Sequence, residues 1–180
     1  MLTLNKRYAK HWSFEVSYTL SDSKAMTEAG EFDLVHSYEA DGWETQYGPT
    51  NRDARHRLAM NGIFDLPFGF QMSGIFYLTS ATPWTAFEGT DVNEDGLISD
   101  YVGDESRNSR RGFGQSYFNV RLSKFINIER LRFQFFAEMF NLFNTANFGN
   151  IEDDIRLANF GLPLSAGDPR LIQFGVRVNF

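Results

Sequence analysis

In WSFEVSYTL, residues 12–20, apolar and polar side chains alternate without a break, and the same period of two returns six more times along the chain. Successive side chains of a strand point to opposite faces, so this period predicts two-faced strands and leaves little room for helix. This strand carries Trp12, Phe14, Val16, Tyr18 and Leu20 on one face and Ser13, Glu15, Ser17 and Thr19 on the other. LTLNKRY before it puts Leu2, Leu4 and Tyr8 together, and RHRLAMNGIFDL places His56, Leu58, Met60, Gly62, Phe64 and Leu66 on one side. FQMSGIFYLTS follows with Phe70, Met72, Gly74, Phe76 and Leu78, and SYFNVRLSKF with Phe118, Val120 and Leu122. LRFQFFAEMF aligns Leu131, Phe133, Phe135, Ala137 and Met139; beyond Met139 the phase is lost, which a bulge or the strand's exit from a membrane explains. The closing stretch alternates Ile172, Phe174, Val176, Val178 and Phe180 with Gln173, Gly175, Arg177 and Asn179. Phenylalanine, present 19 times, suits strands far better than helices.

The links between strands alternate too. Ala9 to His11, Pro67 to Gly69, and the residues from Asn127 to Arg130 read as tight turns. Long polar stretches, about 22–53, 83–112 and 145–169, separate the hairpins. All short links then fall at one end of an antiparallel meander and all long ones at the other. That segregation is the pattern of an outer-membrane barrel, with short periplasmic turns and long outer loops. The apolar face carries aromatics in nearly every strand and is expected to hold no charge except Lys6, as a lipid-facing band would. A β-sandwich core is the soluble alternative for the same pattern, and would make the chain a carbohydrate-binding module with a calcium loop.

No run of 18 apolar residues occurs, which excludes a membrane-spanning helix and is silent on strands. A net charge of −6 argues against a nucleic-acid partner. The chain has no cysteine, hence neither a disulfide framework nor a thiolate metal site.

Four segments carry a family resemblance: FAEMFNLFNTANFGN, NRDARHRLAMNGIFDLPFG, DVNEDGLISD and GDPRLIQFGVRVNF. In these the chain resembles the C-terminal part of a TonB-dependent receptor barrel, of the Oar-like subgroup. The resemblance implies a 22-stranded barrel with a plug in its lumen, of which residues 1–180 form about seven strands, the final third. The plug, TonB box and signal peptide are then expected outside these residues, the chain being a fragment or truncated gene product, or completed by other segments. Gln173, Gly175, Val178 and Phe180 match the polar, glycine, hydrophobic and terminal-aromatic spacing by which the family's last strand serves as a signal to the barrel-assembly machinery. The implied role is nutrient uptake across a Gram-negative-type outer membrane, with TonB acting through the plug and outer-membrane lipid around the barrel. An autonomous small barrel, an adhesin or enzyme closed by an eighth strand in FDLVHSYEA, is the membrane alternative.

DVNEDGLISDYV holds the one motif with readable chemistry. Asp91, Asn93 and Asp95 occupy positions 1, 3 and 5 of a calcium-loop pattern, and Gly96 the sharp turn. Leu97 offers a carbonyl at position 7, Ser99 a hydroxyl at position 9, and Asp100 or Asp104 a carboxylate in place of the absent Glu at position 12. Oxygen donors at this spacing suit calcium; a solvated Asp/Asn/Gly turn uses the same residues. Arg107, Arg110 and Arg111 are expected on a solvated loop, with anion binding as the other reading. His11, His36 and His56 lack ligand spacing, and no nucleophile sits beside a base, so no catalytic residue is expected.

Overall fold

The computed structural model describes residues 1–26 and 43–180. Seven strands form one antiparallel sheet: β1 (Leu2–Ala9), β2 (Trp12–Leu20), β3 (His56–Leu66), β4 (Phe70–Thr79), β5 (Gln115–Ile128), β6 (Leu131–Phe140) and β7 (Leu171–Asn179). Their order in space is their order in the chain, an up-and-down meander. Among the described residues no second sheet packs on its face to make a sandwich; the remaining strands there are short ribbons within the long connections. The stretch FDLVHSYEA lies outside the described residues.

Register keeps the two faces unlike across the whole sheet, because antiparallel partners share a face. On the apolar face Leu4 meets Val16, Val16 meets Met60, Met60 meets Phe76, and Phe76 meets Phe118. Past β5 the row continues through Ala137 opposite Leu122 and Phe174 opposite Ala137. The other face is polar: Glu15 pairs with Asn61, Asp65 with Gln71, Arg121 with Glu138, and Gln134 with Arg177. Arg121 and Glu138 form an ion pair at 3.1 Å. Phe64, Phe70, Phe135 and Phe174 on the apolar face are exposed, Phe174 at 81%, so this face is no water-excluding core of the chain itself.

Two expectations about the faces are corrected. A bulge between Lys6 and Ala9 shifts the register, so Tyr8 leaves the face of Leu2 and Leu4. Its hydroxyl instead bonds the Asp65 carboxylate on the polar side. Lys6 is also not the only charge on the apolar face, because Lys124 pairs with Phe70 there. Its ammonium bonds the Phe68 carbonyl and lies 4.5 Å over the Phe70 ring. The long aliphatic stem covers apolar surface while the charge reaches the turn, which makes the position tolerable.

Phase loss after Met139 is strand exit and not a bulge. β6 stops at Phe140, and Asn141 turns the chain with φ 48. The short links are two or three residues each, tightened by positive φ at Lys10, His11, Phe68, Gly69 and Glu129. β1 and β7 each pair on one side only among the described residues. An unpaired strand edge costs several kcal/mol per buried polar group in a bilayer, so both edges call for further pairing.

Candidate functional site

The long connections do not behave as solvated loops. Within them Lys24–Ala25 pairs with Gly48–Pro49, Pro83–Trp84 with Arg110–Arg111, and Phe148–Ile151 with Pro163–Ala166. Apart from Ser123 on β5, the most buried residues among those described lie in this layer and at its junction with the sheet, among them Asp53, Ala54, Ala86, Tyr101 and Asn108.

Arginines join the first long connection to the second, which corrects the expectation of a solvated cluster. Arg111 Nη2 donates to Asp53 Oδ2 at 2.6 Å, and Ser23 N donates to Asp53 Oδ1 at 3.1 Å. Burial alone would raise the Asp53 carboxyl, but the bonds from Arg111 and Ser23, with the charges of Arg111 and Arg55, hold it below the ordinary carboxylate value. Arg107 Nε donates to the Gln46 carbonyl at 3.0 Å, and Nη2 reaches the Ala25 carbonyl. Asn108 Nδ2 bonds both Pro49 O and Asn51 Oδ1 at 2.7 Å. Gly48 sits against this strand of contacts: a Cβ there would fall 2.0 Å from the Arg107 carbonyl oxygen. Arg110 forks onto Glu105 at 2.8 and 2.6 Å and stands 5.5 Å from the Trp84 ring and 5.0 Å from Phe160. The Glu105 carboxyl is lowered chiefly by that bond.

FAEMFNLFNTANFGN supplies the anchors of the third connection. Asn147 Oδ1 accepts from Ser116 N at 2.6 Å and its Nδ2 donates to Ser116 O at 2.9 Å, so one amide continues the β5 edge. Asn141 Nδ2 bonds Thr145 O at 2.9 Å and Asp168 O at 3.0 Å, and Asn144 Oδ1 accepts from Arg170 N at 2.9 Å. Three asparagines thus close the tops of β5, β6 and β7. Farther out, the Arg156 fork pulls the Asp154 carboxyl down to about 2.

Held this way, the layer encloses an open cleft of about 770 Å³. Trp84, Phe113 and Phe148 give it aromatic surface, and Asn108, Gln115 and Asp153 give it polar groups. Phe113 and Phe148 meet edge to face at 5.3 Å. Apolar walls with a few fixed polar groups are what a binding cleft requires. The sequence reading singled out none of these aromatics, because the ribbons that bring them together pair residues far apart in the chain.

The predicted calcium-loop residues do come together. Asp91 Oδ1 and Oδ2 accept from Asp95 N at 3.1 Å and Gly96 N at 2.9 Å, and Asn93 Oδ1 accepts from Asp95 N at 3.0 Å. Asp95 Oδ1 accepts from Leu97 N at 2.8 Å, and buried Asp100 caps Val92 N and Asn93 N. The side-chain oxygens therefore serve as turn caps, and Ser99 Oγ is buried without a partner. Among the described residues no three His, Cys, Asp or Glu side chains are grouped to hold a metal. Cation loading of Asp91, Asn93, Asp95, Leu97, Ser99 and Asp100 would exchange these N–H bonds for coordination.

The residues expected to form the assembly signal separate by face. Gln173 bonds Glu138 on the polar side, and Gly175 lies opposite Phe136 there. Val178 is on the apolar side opposite Phe133, and Phe180 follows the strand fully exposed. His56 Nδ1 meets the Tyr18 hydroxyl at 2.8 Å; His11 sits in the first turn, and His36 lies outside the described residues.

A family model described as an outer membrane beta barrel domain matches residues 1–101 and 80–173. No curated protein and no solved structure matches the chain.

Proposed function

The chain belongs to the outer-membrane β-barrel domain family, and from that premise we propose that it is the C-terminal barrel segment of a TonB-dependent receptor for nutrient uptake. Membership places the protein in an outer membrane; on the proposed reading the apolar face meets lipid, the polar face the lumen, and the long connections the outer side. The observation that carries the finer reading is the lumen face itself. Amid its polar residues Ile63 and Ile75 stand 39% and 58% exposed, apolar surface that a lumen-filling plug would cover. The two sheet edges that pair on one side only among the described residues support the same reading, since a larger barrel would pair them. In this scheme the outer cleft captures substrate and TonB acts on the plug. The barrel-assembly machinery recognises Gln173, Gly175, Val178 and Phe180, and the chain performs no catalysis.

Photo-crosslinking from position 75 of the full-length gene product, in its own membrane, tests this. The expected adduct joins Ile75 to a globular plug segment in the lumen. Absence of any lumenal adduct, together with heat-modifiable migration of residues 1–180 alone, would instead establish a small autonomous barrel.

A further inference from the structure

Gly62 and Gly74 face each other across β3 and β4 on the lipid side. Without side chains there, the sheet surface carries a groove of about 340 Å³ walled by Phe14, Phe64, Phe76 and Phe118. Phe76 and Phe118 meet edge to face at 6.1 Å on one side. On the other, Trp12 stacks on Phe14 at 5.4 Å and on Phe64 at 6.1 Å. A Cβ at Gly74 would meet nothing nearer than 3.5 Å, so the space is open to an occupant. No charged residue lines it. Apolar walls facing a void forfeit dispersion contacts, and an apolar chain filling the groove restores them.

Depth and charge say which chain. Gly62 lies four residues before Leu66, and Gly74 four after Phe70, both counted from the short-turn end. That is about 14 Å along a strand and roughly 10 Å of height after tilt, within an apolar band about 25 Å tall. The groove therefore sits in the half of the membrane on the short-turn, periplasmic side. Two ammonium groups flank its lower end on the same face. Lys6, opposite groove-wall Phe14, bonds the Ala9 and Trp12 carbonyls at 2.8 Å each and lies 4.0 Å over the Trp12 ring. Lys124 bonds the Phe68 carbonyl in the same manner. An ammonium carries three N–H donors, so each keeps at least one for an anion.

We propose that this groove seats one acyl chain of a glycerophospholipid from the periplasmic-side leaflet, with its phosphate at the Lys6 and Lys124 rim. The groove is continuous with the lipid-facing surface, and its cations match a phosphate head. The inference goes beyond nutrient uptake and rests only on membership of the outer-membrane barrel family.

Cells producing the full-length protein are fed a photoactivatable fatty acid, irradiated, and the purified protein is mapped for adducts by peptide mass. Adducts of glycerophospholipid mass are expected on Phe14, Phe64, Met72 and Phe118 at about fivefold or more over Leu20, Leu78 and Val178, because a seated chain dwells where its contacts are made. Gly74→Phe, which fills the groove, is expected to bring these adducts to the level of the rest of the face, while Leu78→Phe leaves them unchanged. Gly74→Leu serves if the Phe variant loses heat-modifiable migration. Adducts spread evenly over the face, adducts of lipid A mass, protein–protein adducts at the groove, or indifference to both Gly74 variants would each overturn the proposal.

Discussion

Asp53→Asn should loosen the outer loop layer by an amount the structure sets. The substitution keeps the oxygen that accepts from Ser23 N at 3.1 Å, but turns the acceptor of Arg111 Nη2, at 2.6 Å, into a competing donor. A hydrogen bond to a charged partner contributes about 1.5–3 kcal/mol. The Asp53 side chain is wholly buried, but that of Arg111 is 32% exposed, so water recovers part of the loss. A net cost near 2 kcal/mol follows, about a 30-fold rise in the opened population. Protease digestion of outer-membrane vesicles reads that population when reclosing outruns cleavage. Cleavage within the connections, residues 45–55 and 80–112, should therefore accelerate about 30-fold while the strands stay protected. The pH profile gives a second arm. The Asp53 carboxyl is depressed in the folded layer, so its contribution is complete above the unfolded value of 3.8 and lost as pH falls through the lower folded value. Wild-type loop protection should stay level from pH 7 to 5, by this linkage. Equal cleavage rates for wild type and Asp53→Asn would refute the clamp.

Gly175→Ala places a Cβ 2.3 Å from the Phe136 ring and should cost about 1–3 kcal/mol, read as a lower midpoint of heat-modifiable migration. Gly74→Ala, with room for its methyl, is the matched substitution that should leave the midpoint in place. Phe180→Ala should lower the yield of assembled protein in the outer membrane without moving that midpoint; a shifted midpoint with normal yield would contradict the signal role. Calcium should slow protease cleavage of the Asp91–Asp100 turn, and Asp95→Ala should abolish the effect. Identical digestion in calcium and in chelator would remove calcium from the account.

Most of the sheet was legible because period-two alternation is a local property: Trp12 to Leu20 declares its faces without knowing its neighbours. Tyr8 escaped because a bulge is decided by register against β2, which the β1 sequence alone does not specify. Lys124 was misplaced for a related reason, since its face follows from pairing with Phe70 and its tolerance from a carbonyl in another turn. The loop layer was least legible. Arg111 and Asp53 are 58 positions apart, and no local pattern announces that contact. The asparagines of FNLFNTANFGN show the converse: the motif was singled out by resemblance, and the structure supplies its physical work in closing three strand tops.

The central claim is that one face of this sheet meets lipid and the other the lumen. The chain has no cysteine, so single cysteines can be introduced along β4 and spin-labelled without background. In the membrane-embedded full-length protein, labels at Phe70, Met72, Gly74, Phe76 and Leu78 should relax with oxygen. Labels at Gln71, Ser73, Ile75, Tyr77 and Thr79 should not share that lipid-type response. A reversed phase, or no alternation along β4, would contradict the account.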